Sequence, residues 1–255
     1  MEARLVDHMG SDDAIVQAAR VSYGAGTKSI SDDRALIRYL MRHKHTTPFE
    51  MVEFKFRIRA PIFVARQWLR HRTASVNEIS ARYSIIQNDF FLPDELRTQN
   101  TNRGQGGEEP LGDASANLLL KQKASCDLAF HTYNELLFKG TARELARAHL
   151  PQCTFTEFYW KIDLHNLLHF LKLRLEDHAQ KEIRDLAQKV YELIKPIVPT
   201  TCEAFEDFVL GSVTLSRVEI EALRGNALVH APRAIPGKGE NAEFEEKIRT
   251  LFSST

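Results

Sequence analysis

Apolar and polar positions along the chain alternate in ways that mark out most of its elements. Ala14, Ile15, Ala18, Ala19 and Ser22 repeat at helical spacing, and Ser11 stands where an N-cap belongs, so a helix is expected from there to about Tyr23. After the polar break GAGTK, a second amphipathic helix is expected from near Ser31, with Leu36, Tyr39 and Leu40 inward. The tetrapeptide T-P-F-E at 47–50 has the form of a helix start, with Thr47 as N-cap, Pro48 at N1 and Glu50 closing a capping box. Residues 52–60, VEFKFRIRA, then alternate strictly: Val52, Phe54, Phe56, Ile58 and Ala60 on one face, Glu53, Lys55, Arg57 and Arg59 on the other. That is a half-buried strand, and its clean alternation favours antiparallel pairing.

From Pro61, the run PIFVARQWLRH reads as a helix with Arg66 and Arg70 on one face, and Ser75 with Glu78 has the spacing of a further capping box. A long helix is expected to end near Lys139 with Gly140 at C′, and Thr141 and Glu144 to cap the next one, which carries Arg143 and Arg147. Thr154 to Ile162 reads as a strand with Phe158, Trp160 and Ile162 inward. Asp163 then caps LHNLLHFLKLR, whose Leu164, Leu167, Leu168 and Leu171 form a stripe. DHAQKEIRDLAQKVYELIKP is a second amphipathic helix, ended by Pro196 and Pro199. Beyond Thr200 the pattern weakens to short helices around Phe205 and Val218–Leu223, a Pro/Gly turn at 232–239 and a last helix from about Ala242. The whole predicts an α/β fold with a mixed or antiparallel sheet and a helix-rich second half. One catalytic domain over 1–200 would carry a C-terminal extension, 201–255, packed on or beside it. Residues 97–113 hold four glycines, one proline and almost nothing apolar, and are expected to form a mobile excursion, a lid or an insertion.

Composition narrows the function classes. The 255 residues balance 34 Lys+Arg against 34 Asp+Glu, which argues against a general nucleic-acid coat. No apolar run is long enough to span a bilayer, and MEARLVDHMGSDD lacks the apolar core of a secretory signal. Cys126, Cys153 and Cys202 show no CxxC pairing and suggest reduced thiols in a cytoplasmic protein, with no thiol marked as activated. Charge is uneven, however. Lys55, Arg57, Arg59, Arg66, Arg70, Arg72 and Arg82 face the single acid Glu78 within one stretch. With no G-x-G-x-x-G after a strand and no Walker A sequence, a phosphate-bearing ligand would have to be gripped by arginines. Asn77, Glu78, Ser80 and Arg82 add groups suited to a ribose and a pyrimidine or flavin edge. Structural Arg–Glu pairing at a subunit interface is the alternative. A nucleic-acid surface fits less well, because Phe56 points away from Lys55 and Arg57. His165 and His169 lie four apart, but no HExxH arrangement accompanies them and no metal site is assigned.

The segment RHRTASVNEISAR (70–82) resembles the RHRxxSxNExSxR signature of the flavin-dependent thymidylate synthases. HTTPFE (45–50), APIFVARQW (60–68), ARELARAHLP (142–151) and FLKLRLEDHAQKEI (170–183) extend the resemblance. It implies a non-Rossmann α/β homotetramer with sites shared between subunits, which binds FAD and makes dTMP from dUMP with NADPH and 5,10-methylenetetrahydrofolate. Neither nucleic acid nor membrane is an implied partner. The resemblance places Gln67, Arg70, Glu78, Ile79, Ser80, Ala81, Arg82, Arg147 and Arg174 at dUMP, with Arg174 as the catalytic group near the uracil N3–C4 edge. It places His45, Thr47, Arg70, His71, Arg72, Asn77 and Glu78 at FAD, together with Asp163, His165 and His169, where other members often carry Asn, Arg and Asn.

Overall fold

The computed structural model describes residues 1–21, 32–99, 107–214 and 217. Its centre is a four-stranded antiparallel sheet in the order β1 (Glu2–Met9), β2 (Glu53–Pro61), β6 (Phe155–Asp163), β3 (Ser75–Glu78). The strands β2 and β6 pair along their whole length, from Glu53↔Asp163 to Pro61↔Phe155. This register brings Phe54, Phe56 and Ile58 beside Ile162, Trp160 and Phe158 on one face, all buried. Onto that face pack α4 (Ile62–Trp68), α7 (Leu164–Arg174) and α8 (Lys181–Ile194), while α1 (Asp12–Val21), α2 (Asp33–Arg42), α3 (Thr47–Glu50) and α9 (Pro199–Phe205) extend the same core. The alternation of 52–60, the inward face of 154–162 and the leucine stripe are all as expected.

A smaller cluster forms where α5 (Ala114–Phe138) meets α6 (Arg143–Ala146). Phe130, Tyr133 and Ala146 are buried there, and the Tyr133 hydroxyl accepts the Ile86 backbone N–H at 3.0 Å. Gly140, at φ 84°, ends α5 in the left-handed conformation that a side chain resists. The compact unit runs from Met1 to Leu210, ending in a π-helical turn over Glu206–Leu210. Cys202, Ala204 and Phe205 of α9 are therefore core residues, although they lie past position 200.

Several local readings are corrected. Ser75–Glu78 is not a capping box but β3, because the open edge of β6 offers a ladder that outweighs a local cap. Thr46, not Thr47, precedes α3; its αR backbone carries no side-chain cap bond, so no capping box closes. Ala142 occupies the N-cap of α6 without a side-chain bond, and Arg147 falls in the 3₁₀ turn Arg147–His149. The helix after Pro61 stops at Trp68, so Arg70 and His71 lie in the turn beyond it. In α2, capped by Asp32, Ile37 and Arg38 are buried and Tyr39 only partly so. The amphipathic helix beginning at Asp177 by pattern starts at Lys181. The 97–113 excursion is structured at both ends, where β4 (Arg97–Gln99) pairs with β5 (Gly107–Pro110), Leu96 N–H donates to Ser115 Oγ at 2.8 Å, and Arg97 pairs with Glu182. Residues 22–31, 100–106 and nearly all of 215–255 lie outside the described residues, so the elements expected at GAGTK, Val218–Leu223, 232–239 and 242 onward do too.

Asp12 ties the two ends of this core together. Val198, at the N-cap of α9, has no side chain able to satisfy the first N–H groups. The Asp12 carboxylate does so from outside, accepting Thr200 N–H at 2.8 Å, Thr201 N–H at 3.1 Å and the Thr201 hydroxyl at 2.6 Å. An Asp12→Ala substitution should therefore cost about 1–2 kcal/mol, the scale of a lost N-cap. Urea unfolding with an unchanged m-value would show it, and a loss below about 0.3 kcal/mol would mean water replaces the cap without penalty.

Candidate functional site

The aromatic core fixes the floor of the site. Trp68, the last residue of α4, stands 5.1 Å from Trp160 and 4.3 Å from Phe170 of α7, centroid to centroid, and all three are fully buried. Gln67 and His71 flank Trp68 in sequence, and Arg174 lies one helical turn beyond Phe170. The packing thus brings the ends of two helices together. The Arg174 guanidinium donates through Nε to His71 Nε2 at 3.1 Å and through Nη2 to the Gln67 carbonyl oxygen at 3.3 Å.

The surroundings set the state of His71. Its ring is partly buried, and burial first, then the Arg174 charge and the neighbouring His169, lower its pKa from 6.5 to about 4. At neutral pH it is uncharged, with Nδ1 carrying the proton and Nε2 accepting from Arg174. Burial, followed by repulsion from Arg70, also pulls the Arg174 pKa down, although a guanidinium stays charged.

Gln67, Arg70, His71, Arg72, His169 and Arg174 line one cavity of about 550 Å³, joined by Thr73, Asn166 and Leu173. A neighbouring cavity of about 720 Å³ shares Gln67, Leu173 and Arg174 and reaches Arg97, His178 and Gln180. On the other side, His169 is shared with a third cavity of about 350 Å³, which His45 and His165 line with Leu40, Phe49, Leu168 and Phe205. The arrangement is a cationic centre between a polar chamber and an apolar one, suited to a phosphorylated ligand carrying a flat ring system. Among the described residues, the side chains of Arg66, Arg70, Arg72 and Arg147 have no acidic partner. The strand half of the basic run is different: Lys55 pairs with Asp7, Arg57 with Glu157 and Arg59 with Asp89.

Other expected residues lie elsewhere. Asn77 and Glu78 are on β3, where Glu78 accepts the Thr156 hydroxyl. Ile79, Ser80, Ala81 and Arg82 follow in a turn closed by Tyr83 N–H to Ser80 O, and Arg82 reaches Glu144 at 3.5 Å. None of these lines the three cavities, nor does Arg147. Thr46 lines the apolar chamber, whereas Thr47 does not. Asp163 caps α7: one carboxylate oxygen accepts Asn166 N–H at 2.9 Å and the other its Nδ2 at 2.7 Å. Asn166, three residues after that cap, is the lining residue that the cap signal itself could have exposed. Cys153 is partly buried, with its Sγ 3.3 Å from that of Cys126. Burial pushes the Cys126 and Cys202 thiols up to about 12, so neither ionises at neutral pH.

Known proteins resemble this chain along most of its length. A family model described as "Thymidylate synthase complementing protein" matches residues 4–200. The flavin-dependent thymidylate synthase of Dictyostelium discoideum is 54% identical over 247 residues, covering 96% of this chain and 80% of that protein. That of Thermus thermophilus is 58% identical over 222 residues, covering 87% of this chain and 82% of that one. The chain belongs to the flavin-dependent thymidylate synthase family. Its fold also superposes on a UMP/dUMP methylase, PolB from Streptomyces cacaoi, solved with 5-Br dUMP. The TM-score is 0.74 at 37% identity, over 82% of this chain and 95% of that one. Family membership and fold are those the sequence resemblance implied.

The His71 environment makes a direct prediction. A ¹H–¹⁵N imidazole titration of the unliganded protein should place its midpoint near 4, and Arg174→Ala should move it upward by removing a neighbouring cation. A midpoint at 6.5 would remove the Arg174–His71 bond. Because the folded pKa lies below the unfolded one, the unfolded chain binds more protons between pH 6.5 and 4. His71 therefore contributes stability above that window and loses it as pH falls through it.

Proposed function

We propose that this chain methylates dUMP to dTMP, with 5,10-methylenetetrahydrofolate as carbon donor and NADPH as reductant through FAD. The observation that carries the reading is the cavity lined by Arg174, held by neutral His71, and by Arg70 and Arg72, with no carboxylate among the described residues that line it. FAD, when bound, supplies the hydride carrier. Arg70 and Arg72 would hold its phosphates or those of the nucleotide, and the apolar chamber beside His45, His165 and His169 would receive a flat ring. The residues fit such a group: unneutralised guanidinium groups suit phosphate oxygens, and Leu40, Phe49 and Phe205 suit an aromatic face. Asp163, spent on the α7 cap, would serve FAD by orienting that helix and not by touching a phosphate.

Arg174 would carry the chemistry of the nucleotide. A preorganised cation at the N3–C4 edge stabilises the negative charge that makes C5 nucleophilic. His71 holds the guanidinium in one orientation without competing for the charge. The high thiol pKa values leave neither Cys126 nor Cys202 poised as nucleophile, in keeping with that route.

The motif residues Asn77 to Arg82, and Arg147, would complete the site from another copy of the chain in a cytoplasmic homotetramer. Exposed Val76, Ile79, Tyr83 and Tyr159 on and beside β3, with Leu120 and Leu128 on α5, support this by giving the chain apolar surface to cover. Among the described residues, no helix is long and apolar enough to cross a membrane. Sedimentation at micromolar concentration should give about four chain masses, and a fully active monomer would exclude a shared site.

The function itself is tested at Arg174. Wild-type protein should show an oxidised-flavin spectrum after FAD addition and form dTMP from the three substrates. Arg174→Ala should keep the spectrum and NADPH oxidation but lose dTMP formation by roughly 10²-fold, the scale of one preplaced donor. Lysine should restore little, since a point charge does not reproduce the planar fork. Stopped-flow flavin reduction, paired with product analysis, separates the steps, and equal slowing of both would end the assignment.

A further inference from the structure

Glu182 is a buried carboxylate, 5% exposed, in the first turn of α8; it lies within the 170–183 stretch of the family resemblance, but neither the resemblance nor the catalytic reading gives it a role. Its Oε1 accepts Arg97 Nη2 at 2.6 Å and its Oε2 accepts Gln180 Nε2 at 2.8 Å. Gln180 in turn accepts Gln67 Nε2 through its Oε1, at 2.5 Å. Gln67 lines both the cationic and the polar cavity, and its own carbonyl receives Arg174. A continuous line of hydrogen bonds thus runs from the β4–β5 hairpin to the residue that anchors Arg174.

The direction of that line is not arbitrary. An ionised carboxylate only accepts, so Gln180 must turn its NH₂ toward Glu182. Its oxygen is then the end left for Gln67, which must answer with its own NH₂. The Gln67 Oε1 is left out of the relay, as an acceptor for a ligand donor. One buried charge so decides the orientation of two amides that are nearly symmetric in shape. Burial alone would raise the Glu182 pKa, but the bonds from Arg97, Gln180 and its own backbone N–H, with the Arg97 charge, outweigh it and leave the group lowered and ionised.

We propose that Glu182 and Gln180 are positioning residues, which hold Gln67 with its side-chain Oε1 available to an N–H or hydroxyl donor of the pyrimidine nucleotide. Arg97, by neutralising Glu182, makes the β4–β5 hairpin a support of the substrate site and not a neutral insertion. The inference rests on the reading of Gln67 as a nucleotide contact.

A double-mutant cycle on the FAD-loaded enzyme tests it. Gln67→Ala and Glu182→Gln should each raise KM for dUMP by about three- to tenfold, the scale of one hydrogen bond, with flavin content and the rate of flavin reduction unchanged. Glutamine at 182 keeps the volume but offers Gln180 either a donor or an acceptor, so the polarity is lost. The double variant should be no worse than Gln67→Ala alone, because Glu182 acts only through Gln67. Multiplicative effects in the double variant would overturn the proposal. So would an unchanged KM in Glu182→Gln when Gln67→Ala raises it. An unchanged KM in Gln67→Ala would overturn the reading of Gln67 first, and the relay with it. Should Glu182→Gln fail to fold, Gln180→Ala carries the same cycle, since that side chain is only partly buried and lies outside the core.

Discussion

The contact between Trp68, Trp160 and Phe170 is the constraint on which the rest of the site depends. These rings come from the end of α4, the middle of β6 and the middle of α7, and each is sealed from solvent. Rings of that size fit against one another in few ways, so the distance between the two helix ends is settled by volume. Gln67, His71 and Arg174 sit within one turn of the cluster and inherit its rigidity. The indole N–H groups of Trp68 and Trp160 have no hydrogen-bond partner among the described residues. A buried donor without a partner costs about 1–3 kcal/mol.

Charge is arranged on that frame in two different ways. Along β2, the cations alternate outward and meet acids on neighbouring strands or loops, which turns most of the strand's positive charge into ordinary exposed ion pairs of small worth. In α4 and the turn after it, no acid follows, and Arg70 stands close enough to Arg174 to depress its affinity for protons. Like charges held together by packing are an unrelieved cost in the free protein. An anionic ligand relieves it, so part of the binding free energy would come from repulsion that the fold has already stored. Neutral His71 matters in the same balance: as an imidazolium it would add a third cation to that group.

The elements legible in the sequence were those decided by their own residues. The alternation of Val52 to Ala60, the Asp163 cap and the Gly140 stop each depend on neighbours a few positions away, and each was found in place. Ser75–Glu78 failed because its fate rests on β6, some eighty residues later, whose free edge recruits it as a strand. Thr47 failed by one residue, since the backbone at Thr46 is αR and a capping side chain there cannot reach the helix. The family resemblance pointed to Gln67, His71 and Arg174, and although its 170–183 stretch contains Gln180 and Glu182, it gave neither of them a role. Their role follows from a bond to Arg97, eighty-five positions earlier, which no local pattern contains.

The position of β3 explains why one continuous motif faces two ways. Arg70, His71, Arg72 and Thr73 lie in the turn after α4 and line the cavity. The next residues are drawn out along the edge of β6, so that Ser75 to Glu78 form a four-residue edge strand, exposed throughout. A short, exposed edge is an uncovered row of backbone groups and apolar side chains, which proteins ordinarily shield. Covering it with a second copy would bring the Glu78–Arg82 half of the motif to a site whose other half, around Arg174, belongs to a different chain. The same strand would thus close the sheet edge and complete the site. On this reading, substitutions at Val76 or Ile79 that loosen the assembly would also lower nucleotide affinity, although neither residue touches the cavity of its own chain.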